Sequence, residues 1–335
     1  MSQKRILLIR PDRVGDVVLT TPLIKAIKKT FPDSYLVLMI NPKTEPLLKN
    51  NPNIDKIIFD DLHIKNRTQK EFWEKVKLLK SENFNIGLMP LPTERHAWMM
   101  FFAGIKTRVG VGRILYEVLT GMKSVQKNFN PIKHEADYIF DLGRKIGLQD
   151  IELVPEIFIP NSEKENAIRL LTNLGIDLQK PIIGINPISG GSVPNWPIDK
   201  YIELSKLLSS KYQILYLLPE RNLEIENKLL GFKNIFFTNP NLVDLIAVCS
   251  LLTLIFSSST GTSHIAGALG IKTITLFCPL DTCSPEHWGN LGNKSINLTA
   301  SNNYCQVKCP KNPKICPLEE ITLKDAYSAI FSSLN

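Results

Sequence analysis

The segment Ile6-Leu-Leu-Ile-Arg-Pro-Asp-Arg-Val-Gly-Asp-Val-Val-Leu-Thr20 begins with four aliphatic residues, stops at Arg10, turns through Pro11, Asp12 and Gly15, and from Val17 takes up a helical apolar spacing that continues to Lys29. A short apolar run fenced by charge marks a strand buried on both faces, and the longer period after it marks a helix. Strand, loop and helix then recur. Residues 36–40 and 56–59 read as strands, 69–81 as a helix, and 86–89 and 108–111 as two more strands. Such alternation predicts an α/β fold in which helices cover a parallel sheet.

The pattern restarts after Pro155 and Pro160, with helices expected at 162–174, 198–209 and 223–229 and strands at 181–186, 213–218, 235–237, 252–256 and 273–277. Residues 155–161 are the expected linker, giving two doubly wound domains, 1–158 and 159–335. A pair of such sheets presents the carboxyl ends of its strands to a common cleft, where open α/β sheets bind ligands. The last helix, 323–334, has no preferred domain in the sequence.

A length of 335 residues also suits two domains at about 150 residues each. With 44% apolar and 21% charged residues, the composition is that of an ordinary soluble globular chain and excludes collagen, coiled-coil and low-complexity readings. The longest strongly apolar stretch, 245–256, contains Ser250 and Thr253 and falls well short of the roughly 20 residues needed to cross a bilayer. No apolar leader with a cleavage site precedes Arg10, so the expectation is a cytoplasmic protein. Charge is uneven: residues 1–150 carry a net +9 and residues 151–335 a net −1. A basic half is either a solvated surface or a site for an anionic partner, and nucleic acid, a membrane face and a phosphorylated substrate all fit.

Of the six cysteines, Cys278, Cys283, Cys305, Cys309 and Cys316 come late. In a cytoplasmic protein they are expected to be thiols; as metal ligands they lack the tight C-x2-C pairs of most zinc sites. His63, His96, His134 and His287 read as surface or core histidines. The run Ala97-Trp-Met-Met-Phe-Phe102 reads first as packing and second as a lipid contact.

Three segments can carry chemistry. In Phe256-Ser-Ser-Ser-Thr-Gly-Thr-Ser-His-Ile-Ala-Gly-Ala-Leu-Gly270, small residues join a strand to an Ala-rich helix, so the amides of Gly261, Thr262 and Ser263 at the positive end of the helix offer a pyrophosphate site; Thr262 or Ser263 could equally be a plain N-cap. A second small-residue loop, Asn186-Pro-Ile-Ser-Gly-Gly-Ser192, leads to Trp196-Pro197. Neither is a Walker A loop or a G-x-G-x-x-G fingerprint, which weighs against ATPase and nicotinamide-enzyme readings. The third, Arg10 to Asp16, sets a carboxylate at a helix start, either as a cap or as a general base that works by position.

Together these segments resemble the bacterial heptosyltransferases, glycosyltransferase family nine, whose members share the GT-B fold of two Rossmann-like doubly wound domains facing an interdomain cleft. Arg10-x-Asp12-Arg13-x-Gly15-Asp16-Val-Val-Leu-Thr-Thr-Pro22 resembles the family's first motif. Ser189-Gly-Gly-Ser192 with Trp196-Pro197 resembles the entry loop of its second domain, and Thr260-Gly261-x-Ser-His264-x-Ala266-x-Ala268-Leu-Gly270 its donor-phosphate motif. The cysteines followed by Ile321-Thr322 resemble a C-terminal pattern of many members.

The resemblance implies inverting, metal-independent transfer of a sugar, typically heptose from ADP-heptose, onto the lipopolysaccharide core or a related glycan, with no cofactor. Asp16 is the implied base. Ser189, Gly190, Gly191, Ser192, Ser259, Thr260, Gly261, Thr262, Ser263 and His264 are implied to hold the donor, with Glu224 on its ribose. Arg10, Arg13 and Arg95 are implied on the acceptor side. The implied partners are a nucleotide sugar, a lipid-linked anionic glycan and the inner-membrane surface, to which the enzyme is peripheral, and not nucleic acid. Two departures stand out: Ser259 where the family usually has Asp, and Pro194 where many members have Lys. They leave open an alternative, a protein that binds a nucleotide sugar with a different donor or without transfer.

Overall fold

In the computed structural model, the described residues are 3–62, 64, 68–112, 115–128, 132–191, 193–232, 234–238, 241–292, 294–308, 312 and 315–334. The chain divides into two units, Met1–Phe158 and Ile159–Asn335. The first contains β1 (Arg5–Arg10), α1 (Val14–Val18), α2 (Thr21–Thr30), β2 (Tyr35–Ile40), β3 (Lys56–Phe59), α3 (Gln69–Ser81), β4 (Ile86–Met89), α4 (Glu94–Phe102), β5 (Thr107–Val111), α5 (Leu115–Leu119), β6 (Lys123–Val125) and α6 (Glu135–Arg144). Its strands form a six-stranded parallel sheet in the order β3-β2-β1-β4-β5-β6. Winding reverses beside β1, so the loop leaving the carboxyl end of β1 lies at the point where such sheets hold ligands.

The second unit repeats the plan. It contains α7 (Asn161–Asn173), β7 (Ile182–Asn186), α8 (Ile198–Leu208), β8 (Gln213–Leu218), α9 (Leu223–Lys228), β9 (Asn234–Thr238), α10 (Leu242–Cys249), β10 (Leu254–Ser258), α11 (Gly261–Ala268), β11 (Lys272–Phe277), α12 (Pro285–Trp288), β12 (Ser295–Thr299), α13 (Asn302–Lys308) and α14 (Leu323–Leu334). The order β12-β11-β10-β7-β8-β9 puts the reversal between β7 and β10. The two small-residue loops read from the sequence follow these two strands. Helix α14 packs on α8, β11 and β12, which settles its place in the second unit.

Local chemistry explains where elements begin. Helix α3 starts at a reciprocal cap: the Glu71 amide donates to Thr68 Oγ1 at 3.2 Å and the Thr68 amide to Glu71 Oε2 at 3.0 Å. The single helix expected from Val17 to Lys29 is instead two, α1 and α2. Pro22 has no N–H for the Val18 carbonyl, and Thr21 Oγ1 donates to that oxygen at 2.8 Å while Thr20 Oγ1 donates to the Asp16 carbonyl at 2.8 Å. Thr21 Oγ1 also accepts the Glu156 amide at 3.0 Å.

Strand β10 lies two residues later than expected: Leu252 and Thr253 fall between the end of α10 and the strand, while Ser257 and Ser258, fully buried, pair in the ladder. Strand-flanking apolar residues fill each core. In the first unit Leu7, Ile9, Val37, Met39, Met99 and Met100 pack together; in the second, Ile183, Trp196, Tyr201, Phe256, Leu276 and Ile330 do. Among the described residues no helix is long and apolar enough to cross a membrane.

Candidate functional site

Arg10 ends β1 with only 2% of its surface exposed. Its guanidinium meets three carboxylates: Nη2 lies 2.5 Å from Asp16 Oδ1 and 3.6 Å from Glu135 Oε1, and Nε lies 3.0 Å from Asp12 Oδ1. Glu135, at the start of α6, also pairs with Lys127. Arg10 therefore works beneath the surface as the hub of a carboxylate cluster, not beside Arg13, which is exposed. Burial pushes the Asp12 carboxyl well up, against the pull of Arg10 and with help from the neighbouring Asp16 and Glu135 charges.

Asp16 is not the cap of α1. Arg13 takes the N-cap position without a side-chain bond, and Asp16 sits in the first turn with its carboxylate aimed by Arg10. That carboxylate is 17% exposed, enough for a small hydroxyl to reach it.

Arg95 is also engaged. From α4 it grips Asp60, the residue after β3, through Nε at 3.1 Å and Nη2 at 3.3 Å, and His96 Nε2 lies 2.9 Å from the same carboxylate. Thr93 Oγ1 contacts His96 Nδ1 at 2.6 Å. Burial alone would push Asp60 up, but the hydrogen bonds from His96 and Arg95 outweigh it and hold the carboxyl well below the usual range. A carboxylate lowered in the folded state stabilises it above the unfolded value near 4 and loses that contribution as pH falls further. Asp60→Asn is therefore expected to cost about 2 kcal/mol at neutral pH and to flatten the acid limb of thermal midpoints measured from pH 7 to 3. An acid limb as steep as the wild type's would rule this carboxylate out as its source.

In the second unit, Asn186 ends β7 and is 8% exposed. Its Nδ2 donates to Thr262 Oγ1 at 2.9 Å and reaches Thr260 Oγ1 at 3.5 Å, and its Oδ1 accepts from the Ile188 amide at 3.2 Å. One side chain thus fastens the loop after β7 to the turn after β10. Asn195 closes the loop's far end: Nδ2 donates to the Pro187 carbonyl at 2.7 Å, while Oδ1 accepts from Tyr201 Oη at 2.7 Å and Ser258 Oγ at 2.5 Å.

Gly191 adopts φ +75°, a left-handed turn that favours glycine, and a Cβ built on Gly190 would meet nothing within 4 Å. Ser189 Oγ donates to the Val193 carbonyl at 3.4 Å. Ser192 lies outside the described residues.

Thr260 is the N-cap of α11. Ser263 Oγ accepts the Thr260 amide at 3.3 Å and donates to the Thr260 carbonyl at 2.8 Å. The Ser263 amide also donates to that carbonyl, at 3.1 Å, so the expectation of three open amides is corrected to two. Gly261 and Thr262, at the first two helical positions, have no acceptor within the helix. Ser259 is 9% exposed, and the buried His264 ring packs edge-on to Trp288 at 6.3 Å.

Glu224 follows β8 in the first turn of α9, exposed and 2.8 Å from Lys228 Nζ. Cys278 and Cys305 are buried with their sulfurs 3.9 Å apart. Among the described residues no group of three or more His, Cys, Asp or Glu is placed to hold a metal; Cys309 and His63 lie outside them.

Residues 73–318 match glycosyltransferase family 9 (heptosyltransferase). The chain belongs to this family. Lipopolysaccharide heptosyltransferase 2 of Escherichia coli is 25% identical over 327 residues, covering 91% of this chain and 90% of that one. The solved glycosyl transferase family 9 structure from Veillonella parvula aligns with a TM-score of 0.84 at 20% identity, over 99% of this chain and 97% of the other. ADP-heptose lps heptosyltransferase II of E. coli aligns with a TM-score of 0.78 at 20% identity, over 98% of both. The GT-B fold expected from the motifs is the fold found.

Within this family 9 chain, sequence reasoning missed Glu135, Asp60 and Asn186. Glu135 is far from Arg10 in the chain, and only the burial of an arginine, which demands counter-charges, could have prompted a search for it. Asn186 carried a usable signal, a polar residue ending an apolar strand before Pro187.

Proposed function

We propose that this family 9 glycosyltransferase moves heptose from ADP-heptose to a lipid-linked, anionic glycan of the lipopolysaccharide-core type, with inversion and without a metal ion or cofactor. The carrying observation is the turn after β10, where two amides without helical partners stand next to the Thr260 and Thr262 hydroxyls at the reversal of the sheet. Fixed dipoles of this kind stabilise the charge that develops on a leaving diphosphate.

On the acceptor side, an acceptor hydroxyl oxygen attacks the anomeric carbon, the bond from that carbon to the diphosphate oxygen breaks, and the hydroxyl proton passes to Asp16. Displacement from the opposite face inverts the centre. Arg10 holds the Asp16 carboxylate in one orientation. Ser189, Gly190, Gly191, Ser259 and His264 complete the donor site in this reading, with Glu224 turning from Lys228 to the ribose hydroxyls. Arg13 and Arg95 face the anionic acceptor, and the +9 charge of residues 1–150 draws the protein to a negatively charged membrane surface.

Calorimetric titration with ADP-, GDP- and UDP-sugars, followed by a transfer assay with a short soluble acceptor, tests this. A single clear ADP-sugar binder with acceptor-dependent ADP release is expected. Binding without release would favour the alternative kept open by Ser259, a nucleotide-sugar binder that does not transfer. Gly261→Val is expected to weaken donor affinity about tenfold, because a β-branched side chain at the first helical position blocks phosphate approach. Wild-type affinity in the folded variant would contradict the cradle.

A further inference from the structure

We infer that the face of the first unit formed by α3, α4 and α5 docks on an anionic phospholipid bilayer; this rests on the membrane-linked acceptor proposed above and names the surface that serves it. Five rings from α3 and α4 make one cluster. Trp73 lies 5.0 Å from Phe102, Trp98 stacks on Phe102 at 5.7 Å, Phe101 meets Phe102 at 5.5 Å and Phe72 meets Trp73 at 5.3 Å. Most of the cluster is open to water: Trp73 is 51% exposed, Phe101 40% and Phe102 42%. Helix α5, which packs on α4, adds Leu115, Val118 and Leu119 at 72%, 67% and 58% exposure, all on one side by their spacing. An apolar patch of this extent on a globular chain marks an interaction surface.

The surrounding charge selects the partner. Lys70, Lys77 and Lys80 share the exposed side of α3 with Trp73 by helical spacing, Lys106 is exposed just after α4, and the Arg108 guanidinium lies 5.5 Å from the Phe101 ring centre. Among the described residues, α3, α4 and α5 carry four acids: Glu71, which accepts the Thr68 amide at 3.0 Å, Glu74 at 3.9 Å from Lys70, Glu94, which accepts from the Trp98 indole N–H at 3.3 Å, and the buried Glu117. Cations therefore remain in excess. Trp and Phe bordered by Lys and Arg suit the headgroup layer, where rings seat among acyl carbons and long basic side chains reach anionic phosphates. A second copy fits less well, because a two-fold contact would set this basic rim against itself. The Arg95 guanidinium lies 5.6 Å from the Phe72 ring centre, so the proposed acceptor-side cation borders the lipid-facing rings.

The full chain is mixed with vesicles of phosphatidylglycerol and phosphatidylethanolamine carrying brominated acyl chains, and with phosphatidylcholine vesicles as the uncharged control. Binding to the anionic vesicles, weakened by salt, with blue-shifted and bromine-quenched tryptophan emission is expected. Trp73→Ser/Leu115→Ser/Leu119→Ser should lower partitioning about 100-fold, since it removes three large apolar anchors. Lys70→Glu/Lys77→Glu should lower it about tenfold or more. Transfer to the short soluble acceptor should stay unchanged in both. Wild-type chain that ignores anionic vesicles, or variants that partition like the wild type, would overturn the inference. So would a wild-type dimer that the triple substitution dissociates. Failure of the wild type to act on the soluble acceptor would instead sink the proposed function, and leaves the vesicle readout standing by itself.

Discussion

Asp16→Asn is expected to slow sugar transfer by about 10²-fold or more while donor affinity stays as in the wild type. The amide keeps the size of the carboxylate and can still accept from Arg10, so the local frame survives. What it lacks is the capacity to take a proton from the attacking hydroxyl. Single-turnover rates with a soluble acceptor, set beside calorimetric donor affinity, separate these effects. Turnover at the wild-type rate would remove Asp16 from the mechanism, and a parallel loss of donor binding would point to a structural role instead.

Arg10→Met should carry the largest cost in stability, about 3–5 kcal/mol, because it leaves the carboxylates of Asp12, Asp16 and Glu135 crowded around a position with no cation. Arg10→Lys should recover part of this: one ammonium restores the charge but not the fork that reaches several acceptors at once. Denaturant unfolding followed by a first-unit probe measures both. A loss below about 1 kcal/mol for the Met variant would place the cluster in effectively solvated surroundings, where ion pairs contribute little.

The order of elements was legible because most inner strands of these parallel sheets, such as β1, β2, β4 and β7, are apolar along nearly their whole length and several covering helices carry their own period. Helix α3 has the bounds expected for it, and the structure supplies the reason for its start, the Thr68 and Glu71 cap, which the sequence reading had not used. Helices α4 and α6 were missed: α4 hides its period in a run of aromatic and Met residues, and in α6 Glu135 faces inward to Arg10. Strands β6 and β12 were missed as well; both lie at sheet edges, where one side of the ladder is open and an apolar run is not required.

The same contrast holds for the candidate site. Backbone features were legible, since glycines and small residues announce where a phosphate can approach. Side-chain pairings were not, because Arg10 with Glu135 and Arg95 with Asp60 join residues that only the sheet order brings together.

The double use of the Thr21 hydroxyl bears on how the chain can be cut. Because it accepts the Glu156 amide while serving the oxygen that Pro22 leaves without a donor, the joint beneath Asp16 includes the last residues of its unit. An expression fragment stopped at residue 150 would strip that joint of one of its bonds, whereas one carried through residue 158 retains it.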